Sequence, residues 1–401
     1  MTVESSTHPI GPRAVPDAQR GARFIRPRRQ RFRRAVFLSG PFALFALLLL
    51  GIEGGVRWRR PRVTTLEALL RPTFPGLIDE KEGEIVFEGD PALGWQLKPN
   101  LRDQYWDFTV FSTNELGLRH PRPIDPKGST FRIVCLGDSV TFGYRVPVAF
   151  PQVPALFDRN ALPYPRLLER LLREVRPDHP IEVIALAVPG YTSHQGRVWL
   201  NRTIDHLQPD LVTTCFGWND TDPAVRPDRE TLPRGGPGLW RRQLMARSQA
   251  AVYLVRWLEE RRSRDAGNPA TLPRLPRVSI EDYVENHLAI ARLSRRHGAG
   301  VLIIGPVYRD SQSYPDQARR IGAYRAALAQ AAAREGIPYL EITRLTEKGH
   351  PDNASLFGEL IHPNELGHRM MAAAVARALE NQGLLASAGP RRGALPAEAG
   401  P

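Results

Sequence analysis

Cysteine and lysine are almost missing from this 401-residue chain. Two cysteines, Cys135 and Cys215, cannot build a disulfide framework. Each stands two residues before a glycine at the end of an expected strand, which reads as two buried thiols on neighbouring strands. A bond between them would need an oxidising compartment and a demanding geometry. Only four lysines (Lys81, Lys98, Lys127, Lys348) stand among 55 basic residues, so the positive charge is nearly all arginine. The formal net charge of +13 would suit nucleic acid, but its placement argues otherwise. Nine arginines (Arg13, Arg20, Arg23, Arg26, Arg28, Arg29, Arg31, Arg33, Arg34) face only Glu4 and Asp17 within residues 1–34, so about half of the net charge is a tail. No nucleic-acid reader motif accompanies it, and the arginine skew fits codon bias better than phosphate contacts. Nucleic acid is not an expected partner. Internal repeats are missing too, and 42% hydrophobic with 24% charged residues is ordinary globular composition.

Against these absences stands one charge-free run. Residues 35–52 read AVFLSGPFALFALLLLGI, 18 residues without charge, and Gly54, Gly55 and Val56 extend it. That meets the lower bound for crossing a hydrocarbon core of ~30 Å. The run is apolar on every face, unlike a core helix. Its 34-residue leader and the exit Ile52-Glu53-Gly54-Gly55 do not suit a cleaved signal peptide. A disordered basic cytoplasmic tail (1–34) and an uncleaved signal anchor (35–56) are expected. Nine arginines before the run against Arg57, Arg59, Arg60 and Arg62 after it predict a single-pass membrane protein with residues 57–401 on the extracytoplasmic side.

Residues 57–128 read as a linker and a small β-rich preamble, with turn residues around Asp90 to Trp95 and Asn114 to Arg119, able to cap the main domain. From residue 129 to 385 apolar strands alternate with amphipathic helices. Strands are expected at 131–136, 181–187, 210–216, 300–306 and 338–342, and helices at 164–175, 195–207, 280–296, 318–335 and 364–380. A Pro- and Arg-rich insertion at 223–278, holding one helix at 239–260, breaks the rhythm, and 386–401 reads as a disordered tail. Five strands alternating with helices predict an α/β fold with a parallel sheet covered on both faces.

In such a sheet, function gathers at the carboxyl ends of the strands. The first strand runs into Gly137-Asp138-Ser139-Val140-Thr141-Phe142-Gly143, where a serine at a strand-to-helix turn either presents its hydroxyl above the sheet or merely caps the helix. It is not the G-x-S-x-G elbow of α/β-hydrolases. The second strand ends at Pro189-Gly190, a turn whose glycine N–H can also face a ligand. The third ends in Gly217-Trp218-Asn219-Asp220, and Asn219 can serve as oxyanion donor or as a helix cap. Last comes Glu359-Leu360-Ile361-His362-Pro363-Asn364, where a carboxylate three residues before a histidine can reach its ring N–H. Glu359 and His362 would also suit a metal, but no third or fourth ligand stands at fitting spacing, so neither metal nor cofactor is expected. His368 reads as structural, and His194 as a surface or capping residue that could otherwise line the pocket.

Together these residues resemble the GDSL/SGNH hydrolase family. The blocks GDSxTxG (Gly137 to Gly143), Gly190, GxND (Gly217 to Asp220) and a last block of DxxHPNxxGH form fall in family order over about residues 130–385. The resemblance implies a three-layer α/β/α, flavodoxin-like fold with a five-stranded parallel sheet, and ester hydrolysis or acyl transfer. It further implies Ser139 as nucleophile, His362 as base, and the Ser139 and Gly190 N–H groups with Asn219 as oxyanion hole. Glu359 stands where the family has Asp, which leaves Asp352 as a second candidate orienter. The preamble is similar to that of bacterial membrane-anchored members. The partner expected is an ester-bearing small molecule, lipid or glycan. Three functions share these residues: ester hydrolysis (acetyl esters included), O-acyl transfer to an envelope glycan, and an inactive binding module should Glu359 fail to orient His362.

Overall fold

The computed structural model describes residues 28–70, 85–120, 122–148, 160–265, 274–309, 315–342, 353–359 and 361–388. The described chain opens on helix α1 (Arg28–Arg59). Its stretch Pro41–Arg59, 19 residues with 0% buried, is long and apolar enough to cross a bilayer. The helix begins ahead of the charge-free run, so residues 28–34 are helical where a disordered tail was expected. No Pro or Gly interrupts residues 28–39, and Arg is a good helix former. The tail's residues 1–27 lie outside the described residues.

Residues 60–401 form a second unit. A short helix α2 (Thr65–Leu70) precedes two antiparallel hairpins, β1 (Phe87–Asp90) with β2 (Gly94–Leu97) and β3 (Gln104–Trp106) with β4 (Thr109–Phe111). The first hairpin turns because the Asp90 carboxylate accepts from the N–H groups of Ala92 and Leu93, both at 2.8 Å. Its Trp95 is fully buried; Nε1 donates to the Pro189 carbonyl at 3.1 Å, and the Tyr191 hydroxyl donates to the Trp95 carbonyl at 2.5 Å. The preamble is thus bonded to the chain that follows the second strand of the main sheet.

That sheet is built from β5 (Phe131–Gly137), β6 (Ile181–Ala187), β7 (Leu211–Cys215), β10 (Gly300–Ile304) and β11 (Tyr339–Leu340). All are parallel, in the order β11-β10-β7-β5-β6, the flavodoxin-like arrangement. Alternation along β5 sends Ile133 and Cys135 to one face and Val134 and Leu136 to the other, and both faces are buried. Helices α4 (Tyr164–Val175) and α11 (Glu365–Asn381) cover the first face through Leu168, Leu172, Val375 and Leu379. Helices α5 (Ser193–Leu207), α9 (Ile280–Arg296) and α10 (Pro315–Arg334) cover the second through Leu200, Ile204, Ile290 and Leu328. Each such side chain contributes about 1.5–3 kcal/mol on burial, so cover on both faces holds the sheet together. This is the three-layer α/β/α fold expected. Cys135 and Cys215 are free and buried on the neighbouring strands β5 and β7.

Two short helices remain, α3 (Ser139–Phe142) after β5 and α6 (Asp228–Thr231) in the insertion. The insertion departs from the single helix expected over 239–260. Helices α7 (Gly236–Arg247) and α8 (Gln249–Asp265) meet at Ser248, which has extended backbone (φ −131°, ψ 119°) and accepts from the Ala251 N–H at 3.1 Å. A serine that caps a new helix stops the old one. At the neck of the insertion β8 (Pro223–Ala224) pairs with β9 (Leu275–Pro276), bringing its two ends together.

Candidate active site

The chain leaves β5 to build β6 on one side and β7 on the other, so the carboxyl ends of these three strands bracket one crevice at the topological switch point. Ser139 is the first residue after the β5 turn. The turn requires Gly137, since a Cβ there would stand 2.0 Å from Thr141 Oγ1 and 2.9 Å from the Cys215 carbonyl oxygen. Asp138 caps α3, its carboxylate accepting from the Val140 N–H at 2.9 Å. The serine hydroxyl is therefore not spent on the cap. It bonds instead to His362 Nε2 at 2.8 Å. Burial pushes the Asp138 carboxyl up to about 7, against the Val140 N–H that lowers it.

His362 and Glu359 sit on one loop that closes on itself. The Gly358 N–H donates to the His362 carbonyl at 3.0 Å, the Asn364 N–H to the Leu356 carbonyl at 2.9 Å, and Phe357 bridges Pro363. This antiparallel pairing turns the chain back between 358 and 362, which brings the Glu359 carboxylate onto His362 Nδ1. Asn364 then caps α11 by accepting from the Gly367 N–H at 3.0 Å. Ser139, His362 and Glu359 thus form one bonded chain, with Ser139 at 7% exposure and the His362 side chain at 13%. Asp352, the other candidate orienter, lies outside the described residues.

Gly190 and Asn219 flank Ser139 at the ends of β6 and β7. Gly190 has a left-handed backbone (φ 82°), its carbonyl accepts from Arg277 at 2.8 Å, and its N–H meets no acceptor among the described residues. Asn219 opens a 3-10 turn, Asn219–Thr221. Its Nδ2 donates to the Tyr191 carbonyl at 2.9 Å and, at a long 3.4 Å, to the Asp138 carboxylate. The Ser139 N–H stands in the first turn of α3, where helical donors have no intrahelical partner.

Several residues that hold this site carry no mark in the sequence. Arg277 and Asp228, at 1% and 0% side-chain exposure, form an ion pair at 3.1 Å inside the insertion. The same guanidinium holds the Gly190 carbonyl and Gln195 Oε1. Arg119 donates to the carbonyls of Phe142 (2.8 Å), Gly143 (2.7 Å) and Val146 (2.6 Å), closing the carboxyl end of α3. Burial pulls its guanidinium down to about 9. Tyr144 packs its ring on His362 and bonds through its hydroxyl to Asp107, in the turn between β3 and β4. Nothing in the spacing of residues 107, 144 and 362 announces this contact.

Two further histidines weighed in the sequence, His368 and His194, lie in the packed interior. His368 is fully buried, accepts from the Tyr164 N–H at 3.1 Å, and is pushed down to about 3 by burial. His194 is also buried and bonded to the Leu232 carbonyl at 2.8 Å, so it occupies neither the surface nor a cap.

The sequence model of the GDSL-like lipase/acylhydrolase family matches residues 135–370. A search among curated proteins finds no match. Among solved structures the chain is similar to the lipase/acylhydrolase from Enterococcus faecalis, at 19% identity over 63% of this chain and 96% of that one, with a TM-score of 0.39. It is also similar to an acetyl xylan esterase from Geobacillus stearothermophilus, at 18% identity over 62% and 94% of the two chains, with a TM-score of 0.40.

Proposed function

The chain belongs to the GDSL-like lipase/acylhydrolase family and is an ester-hydrolysing enzyme, and on that premise we propose that it works through an acyl-enzyme on Ser139. The observation that carries this reading is the bonded chain from Ser139 Oγ through His362 to Glu359. His362 Nε2 takes the hydroxyl proton as Ser139 Oγ bonds to the ester carbonyl carbon. The oxyanion that forms is held by the N–H groups of Ser139 and Gly190 and by Asn219 Nδ2, which gives up its 3.4 Å bond to Asp138 for the better acceptor. Collapse breaks the ester C–O bond, and His362 returns its proton to the leaving alkoxide. Water then attacks the acyl carbon, its proton passing to His362 and on to Ser139 as the acid departs. Glu359 fixes the ring tautomer and stabilises the imidazolium.

The helix Pro41–Arg59 supports a single-pass anchor, and the arginine-rich tail before it supports a catalytic unit on the extracytoplasmic side. The substrate is a carboxylic ester reached from the membrane surface. A fluorophosphonate probe should label the full chain, and Ser139→Ala should abolish the labelling. Labelling that survives in the Ala variant would refute Ser139 as nucleophile.

A further inference from the structure

Helix α8 of the insertion presents an apolar face to solvent. Leu254, Trp257 and Leu258 are 57%, 45% and 41% exposed, and their spacing places them side by side on one face. Arg261, one turn beyond Trp257, lies over its ring at 3.9 Å from the centroid. Large apolar side chains on a soluble surface are ordinarily scattered singly. Here, of the ten exposed among the described residues after residue 60, five stand on α7 and α8, with Trp240 and Leu244 the other two. An indole beside leucines, rimmed by arginine, is the composition of the bilayer interface, where apolar bodies enter the acyl boundary and cations meet anionic headgroups.

The same helix receives the chain as it arrives from α1. The Tyr253 hydroxyl donates to the Pro61 carbonyl at 2.7 Å, and the Arg60 guanidinium lies 5.8 Å from the Tyr253 ring centroid. Gln249 bonds both ways to the Val63 backbone, at 2.9 and 2.7 Å, and Arg256 pairs with Glu67 at 3.0 Å. Val63, Ala68 and Leu69 share a small apolar core with Met245 and Val252. Pro61 stands two residues after Arg59, where the membrane-length helix ends, and two residues of chain span at most about 7 Å. Trp257 is one helical turn from Tyr253. The α8 face thus begins one helical turn from a residue bonded to Pro61, within two residues of the end of α1.

We propose that the face of Leu254, Trp257 and Leu258, with Arg261, seats in the headgroup and upper acyl zone of the membrane that α1 crosses, on anionic phospholipid. The proposal rests on α1 being a membrane anchor. It makes α8 a second attachment that fixes the posture of the catalytic unit over the lipid.

The test uses the full chain in nanodiscs of phosphatidylcholine and phosphatidylglycerol, spin-labelled at Trp257→Cys or at Leu48→Cys. The native thiols of Cys135 and Cys215 are buried and do not compete for the label. Turnover of a soluble ester at the unlabelled rate certifies folding. The label at residue 257 should collide with oxygen several-fold more often than with a water-soluble nickel chelate, and the label at residue 48 likewise. A nickel-accessible label at 257 with an oxygen-favouring label at 48 overturns the seat and leaves the anchor standing. A nickel-accessible label at 48 overturns the anchor and the seat with it. Dipolar broadening between labels at 257 that vanishes on dilution with unlabelled chain makes the occupant a second copy, and also overturns the seat.

Discussion

The ring of Tyr144 lies against that of His362, with centroids 4.2 Å apart and planes tilted by 41°. The far end of Tyr144 bonds to Asp107, which also pairs with Arg145 at 3.0 Å. Asp107 and Phe108 form the two-residue turn between β3 and β4 with left-handed backbones (φ 41° and 58°), a conformation costing roughly 1 kcal/mol or more at a residue with a Cβ. The Arg145 guanidinium covers the Phe108 ring at 5.1 Å. A turn of the preamble thus steadies the proposed base from outside the sheet.

Removing that support should cost rate more than affinity. Tyr144→Ala is expected to lower kcat about 10–100-fold with little change in KM, since small displacements of a reacting group are expensive. Tyr144→Phe keeps the ring and loses only the bond to Asp107, and should stay within roughly fivefold of the native rate. Steady-state kinetics on a soluble ester separate the two; equal losses in both variants would mean that the ring contact is idle.

Glu359→Gln keeps the size of the side chain and removes its charge. A fall in kcat of about 10²–10⁴ is expected from loss of the correct tautomer and of imidazolium stabilisation. An undiminished rate would move the orienting role to Asp352. Single-turnover acylation read with a chromogenic ester distinguishes these outcomes.

The buried pair of Arg277 and Asp228 predicts an asymmetry in stability. Arg277→Met strands the Asp228 carboxylate and should cost about 3–5 kcal/mol in urea unfolding. Adding Asp228→Leu to it should recover much of the loss, because no buried charge then remains unpaired. Ester turnover in the double variant should stay low, since the Gly190 carbonyl has lost its donor.

Burial holds His368 neutral down to about pH 3, whereas an unfolded histidine protonates near 6.5. Between these values the unfolded state binds the extra proton, so His368 contributes stability that is present above about pH 6.5 and lost as pH falls toward 3. His368→Gln should flatten the dependence by about 1.4 kcal/mol per pH unit between pH 4 and 6. Urea midpoints of the two chains across that range give the difference directly.

Much of this architecture was legible because burial writes itself into residue pattern. Helices α4 and α9 fall at the expected 164–175 and 280–296, where apolar residues recur at helical spacing between clear ends. The strands read as short apolar runs because both faces of a parallel sheet are covered. Ser139, His362 and Glu359 were visible through their places at strand ends and loop, and the structure brings them within bonding reach. The break at Ser248 was not visible, since a lone serine inside a helical pattern looks like any exposed polar residue. Arg277 hid among many arginines; its role depends on a carbonyl 87 positions away. Tyr144 and Asp107 were hidden for the same reason, as partners 37 residues apart with no repeating spacing.

The pairing of β8 with β9 gives the insertion a tied neck, with Pro223 opposite Pro276 and Ala224 opposite Leu275. Asp228 and Arg277 lock together just inside and just behind that knot. Exposed residues of α7 and α8, such as Trp240 and Leu254, can then be exchanged without pulling on Asn219 or Gly190. Descendants of this chain are free to change what they meet at the periphery while inheriting the crevice intact.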